Sequence, residues 1–580
     1  MADVAGGAGN RTWRRHPLRN LSAVTAVSSV ATTPSRSKTR RLAARTVSRL
    51  LRLPPQSTDF TVNRVRVPMR DGVELMTDHY QPATARPAGT LLVRCPYGRG
   101  FPFSTLYAGV YAARGYHVVL QSVRGTYGSG GRFTPMSHEI PDGADTVAWL
   151  REQPWFTGSF GTVGLSYLGF TQWALLVDPP PEMKAAVIVV GPHDTSGPRW
   201  GAGSFGLNDF LGWSNLVAHQ EDPGRIRTLV RQLNARRALA RAARGVPLGE
   251  AARAMLGTGA PWFEEWLEHT EPTDPYWASM RLDQALDRAE IPVLLVGGWQ
   301  DVFFEQTMTQ YQRLHQRGVD VGLTVGPWTH THLTTKAAPT VIRESLDWLG
   351  SHLGGRPGTR RDRVRIHVGG AGWTDLPEWP PAMPEMVRYL QPGGRLGDAV
   401  PPETVPASTF TYDPADPTPT VGGRLLAPEG GYRRDDRLAQ RADVLSFTGD
   451  RLPADLYVVG TPVLELAHTC DNIHHDLFVR ISEVDPKGRS RNVSDGYLRA
   501  ATDSETVRIE LDAVAHRFRT GSRIRVLVAG GSHPRFLRNL GTDEPVLSSR
   551  RLVPATHTVH LGAGASRLVL PAGPRPPSAD

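Results

Sequence analysis

Six short, largely apolar runs, GTLLVRC, YHVVLQS, FGTVGL, AAVIVV, IPVLLVGG and LTVG, recur between residues 89 and 326, with helix-forming stretches such as DGADTVAWLREQ between them. A run this short with no polar face is buried on both sides, which is the environment of a strand in a parallel sheet covered by crossover helices. The alternation therefore predicts the α/β class. Just upstream, TVNRVRVPMRDGVELMTDHYQP alternates valine with polar residues about Asp71-Gly72, the pattern of a β-hairpin that opens the fold.

Two later segments break the alternation. After AAVIVVGPH, residues near 200 to 285 become rich in Arg, Ala, Trp and Leu at helical spacing and read as an inserted helical cap. From about residue 361, short alternating strands such as RVRIHVGG, DLYVVGTPVLEL, HDLFVRISEV and RIRVLVAGG, separated by Gly, Pro and Asp turns, predict an all-β sandwich or jelly roll. The expected organisation is a leader over 1–58, an α/β unit over 59–195 and 286–355, a cap over 196–285, and a β domain over 361–575. A single core stops growing at roughly 250 to 300 residues, so 580 residues must divide in some such way.

Charge narrows the function classes. The formal +10 of the chain sits in the leader, where residues 1–58 hold ten Arg and one Lys against Asp3 alone, and the 55 basic and 55 acidic residues of the remainder cancel. A nucleic-acid enzyme carries its basic surface on the folded groove, so that class is set aside. The leader reads as a disordered extension. Its alternatives are a weak export signal around Arg14-Arg15 and a membrane-surface helix over TRRLAARTVSRLLRL, with Leu42, Thr46 or Val47, and Leu50 on one face. The cytoplasm is the expected compartment. Cys95 and Cys470 stand alone, without a CxxC pair or a disulfide framework. Oligomeric state has no sequence signal.

The chemistry starts at GTVGLSYLGF. Ser166 follows a β-type run and precedes a helix-forming run, the strand-turn-helix setting of a nucleophile elbow, although Gly169 falls one position later than in GxSxG. By itself this serine is as compatible with an ordinary turn as with a nucleophile. A nucleophilic serine needs a base, and the base needs a carboxylate to hold its tautomer. Asp301 directly follows IPVLLVGGW, and His330 directly follows LTVGPW. The order Ser, Asp, His, each at a strand end, is that of the α/β hydrolases. His332 is a lesser candidate for the base. Trp299, Trp328 and Phe303 flank these positions and are candidates for the substrate pocket, with core packing the alternative for the tryptophans. His193 and Asp194 read as cap-hinge residues. His468, His474 and His475 alternate inward and outward and offer no compact ligand set, and acyl transfer needs neither metal nor cofactor.

The motifs VPMRDGVELMTDHYQP, RCPYGRG, VRGTYGSGG, GLSYLG, GGWQD, GPWTH, DLFVRISEVDPKGRSRNVSDGYLR and HPRFLRN occur in that order over residues 61 to about 570. In this the chain resembles the cocaine esterase and X-prolyl dipeptidyl peptidase family of α/β hydrolases, whose serine lies in G-x-S-Y-x-G. The resemblance implies an α/β-hydrolase domain with an inserted helical cap and a galactose-binding-like jelly roll behind it. It also implies that Ser166 is the nucleophile, Asp301 the orienting carboxylate and His330 the base, with the Tyr97 hydroxyl and the Tyr167 amide as oxyanion donors. One departure is Ser122 in VRGTYGSGG, where that family usually has an aspartate; a lost ion pair with Arg124 is expected there.

The implied activity is cleavage of a small-molecule ester, amide or peptide through an acyl-enzyme, esterase or acylase first. An X-Pro dipeptidyl peptidase, which must hold a free α-amine, is the next reading, and Asp209 in GSFGLNDFLGW is the visible candidate for that contact. An acyltransferase or cyclase would use the same triad. A binding module with an inert hydrolase half is the rival of another class, and a complete Ser/Asp/His set argues against it.

Overall fold

Strand after strand of the predicted alternation lies in one ten-stranded sheet. The computed structural model describes residues 34–358, 363–499 and 506–576. Its hairpin is β1 (Phe60–Pro68) against β2 (Glu74–Pro82), paired antiparallel with Val67 opposite Leu75. The apolar runs are β3 (Gly89–Cys95), β4 (Tyr116–Ser122), β5 (Phe160–Leu165), β6 (Met183–Val189), β7 (Val293–Gln300) and β8 (Val321–Thr329). The strand order is β1-β2-β4-β3-β5-β6-β7-β8, and every neighbouring pair from β4 to β8 is parallel. Side chains alternate between two cores: Leu92, Val119, Ile188 and Leu295 on one face, and Leu91, Val118, Val187 and Leu294 on the other. Each such burial contributes roughly 1.5 to 3 kcal/mol, and a slip of one residue in register would send every side chain into the opposite core, where its packing partners do not fit.

RVRIHVGG departs from its expected place. It forms β9 (Val364–Val368), which pairs parallel with β8, Leu323 opposite Val364, and is followed by antiparallel β10 (Gly372–Leu376) in the same sheet. Its alternation fits a half-covered edge of a parallel sheet as well as it fits a sandwich, so the pattern alone did not decide its partner. The β-rich domain starts with the strand Glu385–Gln391, and its strands are mostly antiparallel around a core that includes Leu466, Val479, Val526 and Leu568.

The cap enters between β6 and β7. It includes helices Leu207–Ala218, Arg225–Ala243, Leu248–Leu256 and Trp262–Glu268. The β-rich domain holds the cap through backbone contacts: Asn208 N–H to Pro534 O (2.8 Å), Leu537 N–H to Phe205 O (2.7 Å) and Arg499 N–H to Ala202 O (3.1 Å). The cap is thereby fixed from above as well as from the sheet below.

The leader is the second departure. Residues 1–33, including Arg14-Arg15, lie outside the described residues, but Pro34–Leu50 is a helix laid on the α/β region. Ala44 is fully buried against this region, and the Ser37 hydroxyl accepts the Val62 N–H at 3.1 Å. Leu42 and Leu50 of the anticipated apolar face point to solvent, 66% and 74% exposed, whereas Val47 packs inward. Small Ala and Ser residues facing the protein allow this close approach, a cue that a search for large apolar residues passes over. No described helix is long and apolar enough to cross a membrane.

Candidate active site

The β5 run ends on Ser166, which has φ 57° and ψ −122°, and the helix Tyr167–Leu176 begins at the next residue. A non-glycine residue at positive φ is held there only by its surroundings. The Ser166 N–H bonds Val189 O of β6 at 2.8 Å, and Ser166 O accepts the N–H groups of Gly169 (2.8 Å) and Phe170 (3.1 Å). The glycine spacing now has a physical reason. A Cβ on Gly169 would stand 2.4 Å from Gly191 Cα, and one on Gly164 would stand 2.4 Å from Leu168 Cβ. The helix therefore packs backbone to backbone on the end of β6, and the second glycine falls where that contact is.

Asp301 and His330 come together from the ends of β7 and β8. His330 Nδ1 is 2.7 Å from Asp301 Oδ2, and the carboxylate is fully buried. Its other oxygen, Oδ1, accepts the Phe303 N–H at 2.7 Å, so each carboxylate oxygen is held by its own partner. The Phe303 ring stands edge-on to His330, centroids 5.7 Å apart. Ser166 and His330 are nearly buried, 9% and 8% exposed. His332 is committed elsewhere: its Nδ1 accepts the Thr329 N–H at 3.3 Å.

Tyr97 follows β3, and its hydroxyl accepts a hydrogen bond from Trp213 Nε1 of the cap at 3.0 Å. Burial raises the Tyr97 phenol well above its ordinary value, against the opposing hydrogen bonds of Trp213 and Ser166, so it remains a protonated donor across the working pH range. The Tyr167 hydroxyl is turned away into the core, donating to Glu139 Oε1 (2.8 Å) and accepting the Met136 N–H (2.8 Å). Of Tyr167, only the backbone amide remains at the elbow.

Three expectations about neighbours change. The Trp299 indole is 2% exposed and donates to His367 O at 2.7 Å, packed against Phe304 and Trp379, so it is a core residue. Trp328 is 6% exposed and packs on Trp373, with ring centroids 5.6 Å apart. Arg124 does not want for a partner, because it pairs with Asp71 (2.7 Å) and Asp142 (2.6 Å), while the Ser122 hydroxyl accepts from Arg99 instead. His193 and Asp194 stand at the exit toward the cap, both N–H groups donating to Gln306 Oε1. Among the described residues no cluster of His, Cys, Asp and Glu is arranged to hold a metal ion.

What the sequence missed is the rim. Trp213, Leu216, Leu239, Met255 and Leu426 line a cavity of about 240 Å³ that Asp209 also borders. Asp209 is 5% exposed; its Oδ1 accepts the Leu426 N–H of the β-rich domain (2.9 Å) and Asn208 Nδ2 (3.0 Å). Burial pushes its carboxyl up to about 6, and His330 and Arg535 lie near enough to oppose the shift. Arg424 Nη2 bridges Glu305 Oε1 (2.5 Å) and Asp512 Oδ1 (2.6 Å), tying the helix after Asp301 to the β-rich domain. Asp209 was visible in the sequence as an acidic residue near the cap; its burial, its Leu426 partner and the cavity beside it were not.

Residues 71–332 match the model of the X-Pro dipeptidyl-peptidase S15 family, and residues 358–569 match that of the X-Pro dipeptidyl-peptidase C-terminal non-catalytic domain. The chain is 30% identical over 568 residues to the cocaine esterase of Rhodococcus sp. (strain MB1 Bresler), covering 88% of this chain and 98% of that one. An aminopeptidase from a marine-sediment Thaumarchaeota archaeon superposes with a TM-score of 0.76 at 24% identity, over 89% of this chain and 97% of that one. An α-amino acid ester hydrolase superposes with a TM-score of 0.75 at 22% identity, over 90% and 98%. At these identities the two structures speak to the fold.

Proposed function

The chain belongs to the serine hydrolase family of cocaine esterase and the X-Pro dipeptidyl-peptidases, and from that premise we propose that Ser166, His330 and Asp301 are its catalytic triad, acting first on carboxylic esters. The observation that carries the assignment is the pairing of a strained Ser166 (φ 57°) with a 2.7 Å His330–Asp301 contact on neighbouring strand ends of one sheet. Ser166 Oγ attacks the acyl carbonyl while His330 Nε2 takes its proton; Asp301 holds the Nδ1–H and stabilises the imidazolium. The Tyr97 hydroxyl and the Tyr167 amide donate to the oxyanion. Collapse expels the alcohol or amine with the proton returned by His330. Water, deprotonated by the same base, then releases the acid and regenerates Ser166. Labelling with a fluorophosphonate tests this: the native protein should label and Ser166→Ala should not, and equal labelling of the two would overturn it.

A second reading is favoured by Asp209. A buried carboxylate beside an apolar cavity and close to the base suits an acyl group carrying a free amine, whose ammonium would find a counter-charge there. On this reading aminoacyl esters or X-Pro amides are turned over faster than simple acyl esters. Kinetics on matched aminoacyl and acyl 4-nitrophenyl esters decide between them.

A further inference from the structure

The N-terminal helix ends its longest reach at the loop that carries Tyr97. Arg40 Nη2 lies 2.8 Å from Asp78 Oδ2, on a side chain of β2 that is fully buried, and 3.0 Å from the carbonyl oxygen of Arg99; its Nη1 donates to the Tyr80 hydroxyl at 2.5 Å. Asp78 also meets Arg64 Nε at 3.0 Å and Arg99 Nε at 3.6 Å. Arg99 is two residues beyond Tyr97, 7% exposed, and its guanidinium reaches the Ser122 hydroxyl and Tyr127 O (3.2 Å). One guanidinium from the leader thus holds the loop at both its backbone and, through Asp78, its side chain. The cap holds the other side of the same loop: Gln220 Nε2 donates to Pro96 O at 3.0 Å and Trp213 Nε1 to the Tyr97 hydroxyl at 3.0 Å.

A forked donor shared between a buried carboxylate and a backbone carbonyl fixes geometry in a way that one surface ion pair does not. The helix has such a surface pair for contrast, Arg45 to the half-exposed Asp59 at 2.7 Å. We infer that Arg40 is a positioning residue for catalysis, holding the Tyr97 hydroxyl in place through Arg99 and Asp78, so that residues 34–50 are a working part of the hydrolase and not an appendage. The inference rests on the reading of Tyr97 as an oxyanion donor.

The test is a double-mutant cycle on a 4-nitrophenyl ester, with active sites counted by fluorophosphonate titration. Tyr97→Phe should lower kcat by roughly 10²- to 10³-fold. Arg40→Ala should lower kcat by roughly tenfold or more with KM nearly unchanged, since a misplaced donor affects the transition state. Added to Tyr97→Phe, Arg40→Ala should cost nothing further. Arg45→Ala should match the native enzyme, and Arg40→Lys should recover part of kcat; the lysine variant carries the same comparison if the alanine variant does not fold. Native kcat in a folded Arg40→Ala enzyme, or an equal loss from Arg40→Ala whether or not Tyr97→Phe is also present, would overturn the inference. Native kcat in Tyr97→Phe would instead remove the oxyanion reading, and the inference with it.

Discussion

Ser166, Asp301 and His330 stand at the ends of strands that are almost wholly buried, each within a few residues of the apolar run that places it. The groups that face them, Trp213 and Asp209, belong to a cap helix held in place by a domain more than 200 residues further along the chain, with the Leu426 N–H seating Asp209. The corner is local in sequence and rigid in construction. The rim is assembled from four segments, three cap helices and the stretch around Leu426. On the proposed reading the chemistry depends on the sheet, and the choice of substrate on how cap and β-rich domain meet.

The sharpest way to separate the two is at the corner itself. Asp301→Asn should lower kcat by roughly 10⁴-fold with KM little changed, because His330 loses the acceptor that sets its tautomer; steady-state ester hydrolysis measures it, and a loss confined to KM would place Asp301 outside the triad. Trp213→Phe reaches the corner from the rim. It removes one donor to Tyr97 while leaving the hydroxyl, and a fall in kcat of roughly three- to tenfold is expected, well short of Tyr97→Phe.

Asp209 tests the rim alone. Its carboxyl is raised to about 6 by burial, so it is neutral below that pH and charged above it. For an aminoacyl ester kcat/KM should therefore climb roughly tenfold as pH rises through 6, in excess of the change shown by the matched acyl ester, and Asp209→Asn should abolish the excess. The sign for stability is opposite: a raised carboxyl pKa favours the fold below it, and that contribution is lost as pH rises through about 6. The smallest effect expected is structural. Gly169→Ala pushes a methyl against Gly191 Cα and should reduce unfolding free energy by about 1 to 3 kcal/mol in denaturant titration.

The N-terminal helix shows why some of the molecule was legible and some was not. Its arginines are visible in the sequence, and their charge suggested a solvated tail. That Arg40 meets a buried aspartate 38 positions away has no local signature. Trp299 and Trp328 mislead in the other direction: both adjoin the proposed catalytic positions in the chain, yet their rings are buried in packing. Ser122 is similar, since its partner is Arg99 across the strand ends and not the nearby Arg124.

By itself the sequence determined the alternating sheet, the inserted cap, the β-rich tail and the three residues that stand at strand ends. These follow from burial and turn chemistry within a dozen residues. Only the tertiary structure decided which edge β9 would join, which tryptophan would touch Tyr97, and that the leader helix would dock. Those outcomes depend on contacts between segments tens to hundreds of residues apart, where no periodicity or spacing records which surface will be near.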